Sequence, residues 1–230
     1  MLREAICIDG IPAILWGNPS EKIYIHVHGK QGRKEYAESF AVLAEDKGYQ
    51  TISFDLPEHG ERTDSTYRCD VWNGIYDLNV IADYVFARWN NVSLFAGSLG
   101  AYFSLNTYTN KPFAKCLFQS PIVDMKWLVE HMMWWSGVSE EQLQREKEIT
   151  TDIDFLRWDY YQYILSNQVT TWPIPTSILY GGKDHLQPIT SLRDFARKFD
   201  AELTVSEQSE HPFMDSADVA IVEKWLKENI

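Results

Sequence analysis

The chain has 230 residues, of which 45% are hydrophobic, 14% aromatic and 23% charged, and its formal net charge at pH 7 is −12. This composition excludes a disordered or collagen-like chain, and the length suits one α/β domain with a sizeable core. The negative charge and the lack of any run of Lys and Arg argue against nucleic acid and anionic membranes as partners.

Targeting and redox features point to a cytoplasmic protein. Glu4 and Asp9 lie where a secretory signal would be apolar, and no stretch reaches the ~18 uninterrupted apolar residues of a membrane span. The three cysteines are odd in number and widely spaced, which is typical of reduced thiols and not of a disulfide framework.

Short apolar runs alternate with longer stretches of helical period, which predicts a mostly parallel sheet flanked by helices. The predicted strands are, in chain order, residues 5–8, 12–16, 23–27, 51–54, 92–96, 114–118, 176–180 and 202–206. The predicted helices are one from Tyr36 that ends before Gly48, then residues 76–89, 99–108, 189–199 and 217–230. Asp9-Gly10 between the first two strands predicts a two-residue hairpin turn.

This alternation stops between residues 121 and 175. The segment contains five of the nine tryptophans, and Ser139-Glu-Glu-Gln142 resembles a helix start. We therefore predict one domain, with residues 1–120 and 176–230 as its core and residues 121–175 as a helical cap insertion.

The segment Ala96-Gly-Ser98-Leu-Gly100 predicts a nucleophile at a turn between a strand and a helix. Such a turn strains the backbone and requires small residues two positions before and after the nucleophile, as Ala96 and Gly100 are. The N–H of Leu99, at the start of the helix, is a candidate oxyanion donor. Taken alone, the pentapeptide is also typical of an ordinary glycine-rich turn.

A serine nucleophile needs a base, and the base needs an orienting acid. His211 is the candidate base and Asp184 the candidate acid, although either also suits an ordinary loop or turn. Ser98, Asp184 and His211 each follow a predicted strand, and the ends of parallel strands share one rim. Because all three residues have such a position, together they are stronger evidence for a catalytic triad than any one of them alone.

A further loop, His28-Gly-Lys-Gln-Gly32, follows the third predicted strand. The backbone N–H of Lys30 is the candidate for a second oxyanion donor, and we expect His28 to shape the loop. His26 and His28 share a strand face and could begin a metal site. A zinc site usually needs three or four ligands and no carboxylate-rich partner follows, so we predict neither a metal nor a cofactor.

Together these motifs resemble the α/β-hydrolase superfamily, over residues 23–230. The motifs that carry the resemblance are His28-Gly-Lys30, Asp55-Leu-Pro-Glu-His-Gly60, Gly97-Ser-Leu-Gly100, Gly181-Gly-Lys-Asp184 and His211-Pro-Phe213. The resemblance implies the α/β-hydrolase fold, a mostly parallel eight-stranded sheet flanked by helices with a cap inserted after the sixth strand, over the active-site rim. It also implies Ser98 as nucleophile, His211 as base and Asp184 as acid.

Some details depart from the superfamily pattern or leave a choice open. Ala96 stands where many members have glycine, and the loop after His28 is less rich in glycine than in lipases. Some members supply the acid from the position of Asp124, so Asp124 is the alternative to Asp184. We expect His59 to shape its loop.

The expected function is that of a serine hydrolase that cleaves a small-to-medium carboxylic ester, a small-molecule substrate, through an acyl-enzyme. Trp127, Trp134 and Trp135, early in the cap, are candidates for lining the substrate pocket, although such aromatic residues also serve to pack a cap onto a sheet. Two alternatives are a peptidase or amidase with the same triad, and a non-catalytic binding protein on the same scaffold.

Overall fold

A mixed eight-stranded sheet forms the centre of the structure, a computed structural model that describes residues 1–63, 66–152, 154–213 and 215–230. Its strands are β1 (Arg3–Ile8), β2 (Ile11–Trp16), β3 (Lys22–Val27), β4 (Gln50–Phe54), β5 (Asn91–Gly97), β6 (Cys116–Gln119), β9 (Thr176–Gly181) and β10 (Glu202–Ser206). Their order across the sheet is β1-β2-β4-β3-β5-β6-β9-β10. The pairs β1–β2 and β2–β4 are antiparallel and the other pairs are parallel, which confirms the predicted mostly parallel sheet.

Seven α-helices of the described structure lie between strands in the chain, and an eighth follows the last strand. They are α1 (Glu38–Asp46), α2 (Val71–Phe86), α3 (Ser98–Thr107), α4 (Met125–Trp135), α5 (Glu140–Glu146), α6 (Trp158–Ser166), α7 (Ile189–Phe199) and α8 (Ser216–Asn229). A short 3-10 helix, Lys34–Ala37, precedes α1, so the helix predicted from Tyr36 begins with a tighter turn.

The central strands are apolar on both faces because helices cover both sides of the sheet. In β3, Ile23, Tyr24 and Ile25 are fully buried, and such continuous burial is typical of parallel strands. Helices α2 and α3 pack closely at Gly74, where a Cβ atom would lie only 2.6 Å from the Phe103 ring. A glycine at this position therefore lets the two helices approach.

Helix α2 differs from its sequence prediction. It begins at Val71 and ends at Phe86, whereas residues 76–89 were expected. The side chain of Asp70 accepts a hydrogen bond from the backbone N–H of Asn73 at 3.1 Å and so caps the helix start. The earlier start follows from this cap, because a capped first turn has a partner for one of its free N–H groups.

The chain between β6 and β9 contains α4, α5, a small hairpin and α6. The hairpin pairs β7 (Glu148–Thr150) with β8 (Phe155–Arg157) in an antiparallel register. The sequence predicted only helices here, because strands of three residues are too short to show a period of two. In the part of the chain that the structure describes, no helix has the length and apolarity needed to cross a membrane.

Candidate active site

Ser98 lies at the turn between β5 and α3 with its backbone in a strained conformation. Its φ of +48° is in the left-handed region that residues with side chains seldom adopt. Two residues later, a Cβ atom on Gly100 would lie 2.4 Å from the carbonyl oxygen of His28, so only glycine fits there. The turn thus has the geometry that the small residues around Ser98 predict.

Ser98, His211 and Asp184 form a chain of hydrogen bonds. Ser98 Oγ lies 2.8 Å from His211 Nε2, and His211 Nδ1 lies 2.7 Å from Asp184 Oδ2. The Asp184 side chain is fully buried and that of His211 is 8% exposed. Because a carboxylate can only accept, Nδ1 carries the proton and Nε2 is free to accept from the Ser98 hydroxyl.

The two candidate acids have different partners. Asp184 turns Oδ2 to His211, and its Oδ1 accepts the backbone N–H groups of Leu186 at 2.7 Å and Gln187 at 3.2 Å. Asp124 instead caps α4, where its Oδ1 accepts the backbone N–H of Trp127 at 3.0 Å. The residue that reaches His211 is therefore Asp184.

The loop after β3 passes directly beside Ser98. A Cβ atom on Gly29 would lie 2.9 Å from Ser98 Cβ, so the backbone that leads into Lys30 runs against the serine. Leu99 is the second residue of α3, and an N–H in the first turn has no acceptor within its own helix. The loop that leads into Lys30 and the first turn of α3 therefore both border Ser98, and the roles of Lys30 and Leu99 as oxyanion donors stay predictions.

His28 joins this loop to the loop after β4. Its Nε2 accepts the backbone N–H of Leu56 at 3.1 Å, so the ring proton is on Nδ1, which donates to the carbonyl of Gly29 at 2.7 Å. Burial lowers the pKa of His28 to about 4, which keeps this ring neutral near pH 7.

His59 makes a similar link one turn further along the same loop. Its Nδ1 donates to the carbonyl of Pro57 at 2.7 Å, and its Nε2 accepts the backbone N–H of Gln31 at 2.9 Å. Gln31 needs such support because its φ of +63° is left-handed. His28 and His59 together fix the backbone on both sides of Lys30.

A buried ion pair between Lys34 and Asp55 supports the loop after β3 and the loop after β4. Lys34 Nζ donates to Asp55 Oδ2 and to Glu61 Oε1, both at 2.7 Å. Burial lowers the pKa of Lys34, but hydrogen bonds to Asp55, Glu61 and Glu35 outweigh it and hold the pKa above its usual value. Burial raises the pKa of Asp55, but hydrogen bonds from the backbone N–H of Glu61 and from the ammonium and backbone N–H of Lys34 outweigh it and lower this pKa, so both groups stay charged.

Trp127, Trp134 and Trp135 surround His131 on α4. The ring of His131 stacks on those of Trp127 at 4.3 Å and Trp134 at 5.3 Å, and meets Trp135 edge-on at 4.2 Å. Trp134 is 72% exposed. Trp135 also contacts His185, at 6.3 Å between ring centroids, so this aromatic surface reaches the neighbour of Asp184.

Two side chains at the site gave no signal in the sequence. Ser120 donates its hydroxyl to the backbone carbonyl of His211 at 2.5 Å. Gln187 is fully buried beside Asp184, and its side chain accepts the backbone N–H of Val123 at 3.0 Å. Both contacts join parts of the chain that lie far apart in sequence, so no local pattern could have indicated them.

His26 and His28 lie in surroundings unlike those of a metal pair. The ring of His26 is buried and stacks on Phe95 at 4.6 Å, and burial lowers its pKa to about 3. Both ring nitrogens of His28 are engaged by backbone groups. Within the described ranges, no three His, Cys, Asp or Glu residues lie together in a way that could hold a metal ion.

No protein-family model and no curated protein matches this sequence. Solved structures do match in shape. The ferulic acid complex of Est1E from Butyrivibrio proteoclasticus has a TM-score of 0.80 at 17% identity, over 98% of this chain and 96% of that one. Mouse alpha/beta hydrolase domain-containing protein 10 has a TM-score of 0.78 at 15% identity, over 99% and 98%. A monoacylglycerol lipase from Paleococcus ferrophilus has a TM-score of 0.68 at 17% identity, over 95% and 98%.

Proposed function

We propose that this chain, which has the α/β-hydrolase fold, is a serine hydrolase that cleaves a small-to-medium carboxylic ester. The observation that carries the proposal is the hydrogen-bonded chain from Ser98 Oγ through His211 to the buried carboxylate of Asp184. A serine with a left-handed backbone, a neutral imidazole acceptor and a carboxylate behind it are the parts of a nucleophilic triad. We propose no metal and no cofactor for this reaction.

In the proposed reaction, Ser98 Oγ attacks the ester carbonyl while its proton passes to His211 Nε2. The negative oxygen of the tetrahedral intermediate accepts hydrogen bonds from the backbone N–H groups of Leu99 and Lys30. His211 then gives its proton to the departing alcohol, and an acyl-enzyme remains on Ser98. Water, deprotonated by His211, attacks the acyl carbon, and the carboxylic acid and free Ser98 result.

An ester is favoured over an amide by the similar structures. One of them is a monoacylglycerol lipase, and another holds ferulic acid, which is an aromatic carboxylic acid. The aromatic surface of Trp127, Trp134 and Trp135 is our candidate for contact with the organic part of the ester, because it reaches His185, next to Asp184.

The first experiment tests the nucleophile. A fluorophosphonate probe reacts with an activated serine, so we expect it to label the wild-type protein and not Ser98→Ala. Ser104→Ala is the matched control: Ser104 is a buried serine on the same helix that donates only to the carbonyl of Gly100, and its variant should label normally. Equal labelling of wild type and Ser98→Ala, or labelling of neither, would overturn the proposal.

The second experiment tests the bond that is cleaved. We expect turnover of p-nitrophenyl esters of graded acyl length, with kcat/KM well above that for aminoacyl p-nitroanilides. Faster cleavage of the anilides would favour a peptidase or amidase. Absence of both probe labelling and turnover of any ester or anilide would point to the non-catalytic alternative, because labelling requires an activated serine.

A further inference from the structure

Gln187 lies three residues after Asp184 with a fully buried side chain. Its Oε1 accepts the backbone N–H groups of Val123 at 3.0 Å and Asp124 at 2.8 Å. Its Nε2 donates to the carbonyls of Asp124 at 3.0 Å and Leu186 at 2.9 Å. A carboxamide has two oxygen lone pairs and two N–H groups, so this side chain uses its full hydrogen-bonding capacity.

The backbone of the same residue contacts the acid of the triad. The N–H of Gln187 donates to Asp184 Oδ1 at 3.2 Å, and its carbonyl accepts the buried Tyr180 hydroxyl at 2.8 Å. Asp184 Oδ1 and Oδ2 belong to one rigid carboxylate, so the group that holds Oδ1 also sets where Oδ2 meets His211.

The chain that Gln187 holds on its other side also contacts Ser98. The backbone N–H of Ile122 donates to the carbonyl of Ser98 at 3.2 Å, directly before the two residues bound by the carboxamide. Ile122 thus contacts the serine, and Gln187 connects the two residues after Ile122 to the acid. Together with the hydrogen bonds from Asp184 through His211 to Ser98, these contacts form a closed ring.

We propose that Gln187 is a positioning residue that couples the start of residues 121–175 to the orientation of Asp184, an inference that rests on the hydrolase function proposed above. Without the carboxamide, the N–H groups of Val123 and Asp124 lose their buried acceptor. Either those residues or the loop of Asp184 must then move, and a misplaced acid slows the chemical step more than it weakens substrate binding.

Gln187→Met tests the role, because methionine has a similar length and no hydrogen-bonding amide. With a p-nitrophenyl ester we expect kcat to fall about tenfold or more and KM to change less than about threefold. The rate of labelling by a small fluorophosphonate should fall to the same extent, because the probe needs the triad and makes little use of the cap.

Gln50→Met is the matched control. Gln50 is also buried, and its Oε1 accepts the backbone N–H of Ser20 at 3.2 Å and the indole N–H of Trp89 at 3.1 Å. It begins β4, at the end of the sheet opposite the site. Both variants should lose stability in thermal unfolding, but only Gln187→Met should lose kcat and labelling rate.

Tyr180→Phe keeps the test decisive if Gln187→Met does not fold. It removes only the hydroxyl on the Gln187 carbonyl, and we expect a smaller fall in kcat, about threefold, with KM unchanged. If Gln187→Met folds, the role of Gln187 is overturned when the variant keeps kcat within twofold of that of Gln50→Met, or when only the KM of the variant rises. If Gln187→Met does not fold, the role is overturned when Tyr180→Phe keeps the wild-type kcat. Failure of the wild type to label or turn over esters would instead reject the hydrolase function, and this role with it.

Discussion

Among single residues, His28 joins the loop beside Ser98 to the loop after β4 through both ring nitrogens, and burial lowers its pKa to about 4. In the unfolded chain the pKa of a histidine is about 6.5. Between these two values the unfolded chain binds more protons than the folded one, so stability falls as the pH falls. From pH 7 to pH 5 we expect His28 alone to cost about 2 kcal/mol of unfolding free energy.

Urea unfolding at pH 7, 6 and 5 measures this contribution. His28→Asn cannot titrate, so the stability difference between wild type and variant should be largest at pH 7 and shrink by about 2 kcal/mol at pH 5. Ser104→Ala removes a buried hydroxyl that does not titrate, and its stability difference should stay constant with pH. A His28→Asn difference that also stays constant would contradict the prediction.

The sequence singled out the three residues of the hydrogen-bonded chain at the candidate site but not the side chains that contact them. Ser98, Asp184 and His211 each follow a strand. A parallel sheet brings such positions to one rim, so their places along the chain indicate that they lie close together in the fold. Ser120 and Gln187 have no such pattern. Ser120 and its partner His211 are 91 residues apart, and Gln187 and its partner Val123 are 64 residues apart. Only the packed structure brings these residues together.

Among the elements, the hairpin of β7 and β8 is fastened to loops of the core by charged side chains. Arg68 donates to Glu148 at 2.6 and 3.2 Å, and Arg157 donates to Asp70 at 2.9 Å. A third ion pair joins Lys30, in the loop after β3, to Asp154. The Arg157–Asp70 pair is the most buried of the three, with side chains 20% and 13% exposed, so it should contribute most.

Arg157→Met should therefore loosen the hairpin while the sheet keeps its stability. Loss of a partly buried pair worth about 1 kcal/mol raises local opening about fivefold, and amide hydrogen exchange over residues 148–157 should rise by that factor. Arg145→Met is the control, because Arg145 is 71% exposed and pairs only with its neighbour Glu146 in the described structure. Unchanged exchange in Arg157→Met would mean that the ion pair does not hold the hairpin.

The elements that the sequence missed share a physical cause. Helix α7 and strand β10 were predicted with their observed limits, residues 189–199 and 202–206, because a periodic pattern extends over the whole of each element. The hairpin is held by ion pairs between distant residues, and the start of α2 by the cap of Asp70. Neither interaction leaves a periodic pattern in the sequence.

For the whole molecule, we expect the net charge of −12 to influence which esters reach the proposed active site. The negative potential lowers the local concentration of anionic substrates, and salt screens it, because the Debye length falls from about 30 Å at 0.01 M salt to about 10 Å at 0.1 M. We expect kcat/KM for p-nitrophenyl hemisuccinate, an anionic ester, to rise about threefold over this range. For neutral p-nitrophenyl acetate, whose access does not depend on the potential, it should stay nearly constant.

The salt dependence of kcat/KM for the two esters distinguishes the effect of the net charge of the molecule from the effect of a charged group at the site. Lys30 is a cationic residue of the loop after β3, which passes beside Ser98 at Gly29, and its ammonium group is paired with Asp154. If a cation at the site dominated, kcat/KM for the anionic ester would fall with salt. Lys30→Met would then abolish that fall, because it removes the ammonium and keeps the backbone N–H. A rise in both proteins would mean that the net charge governs substrate access.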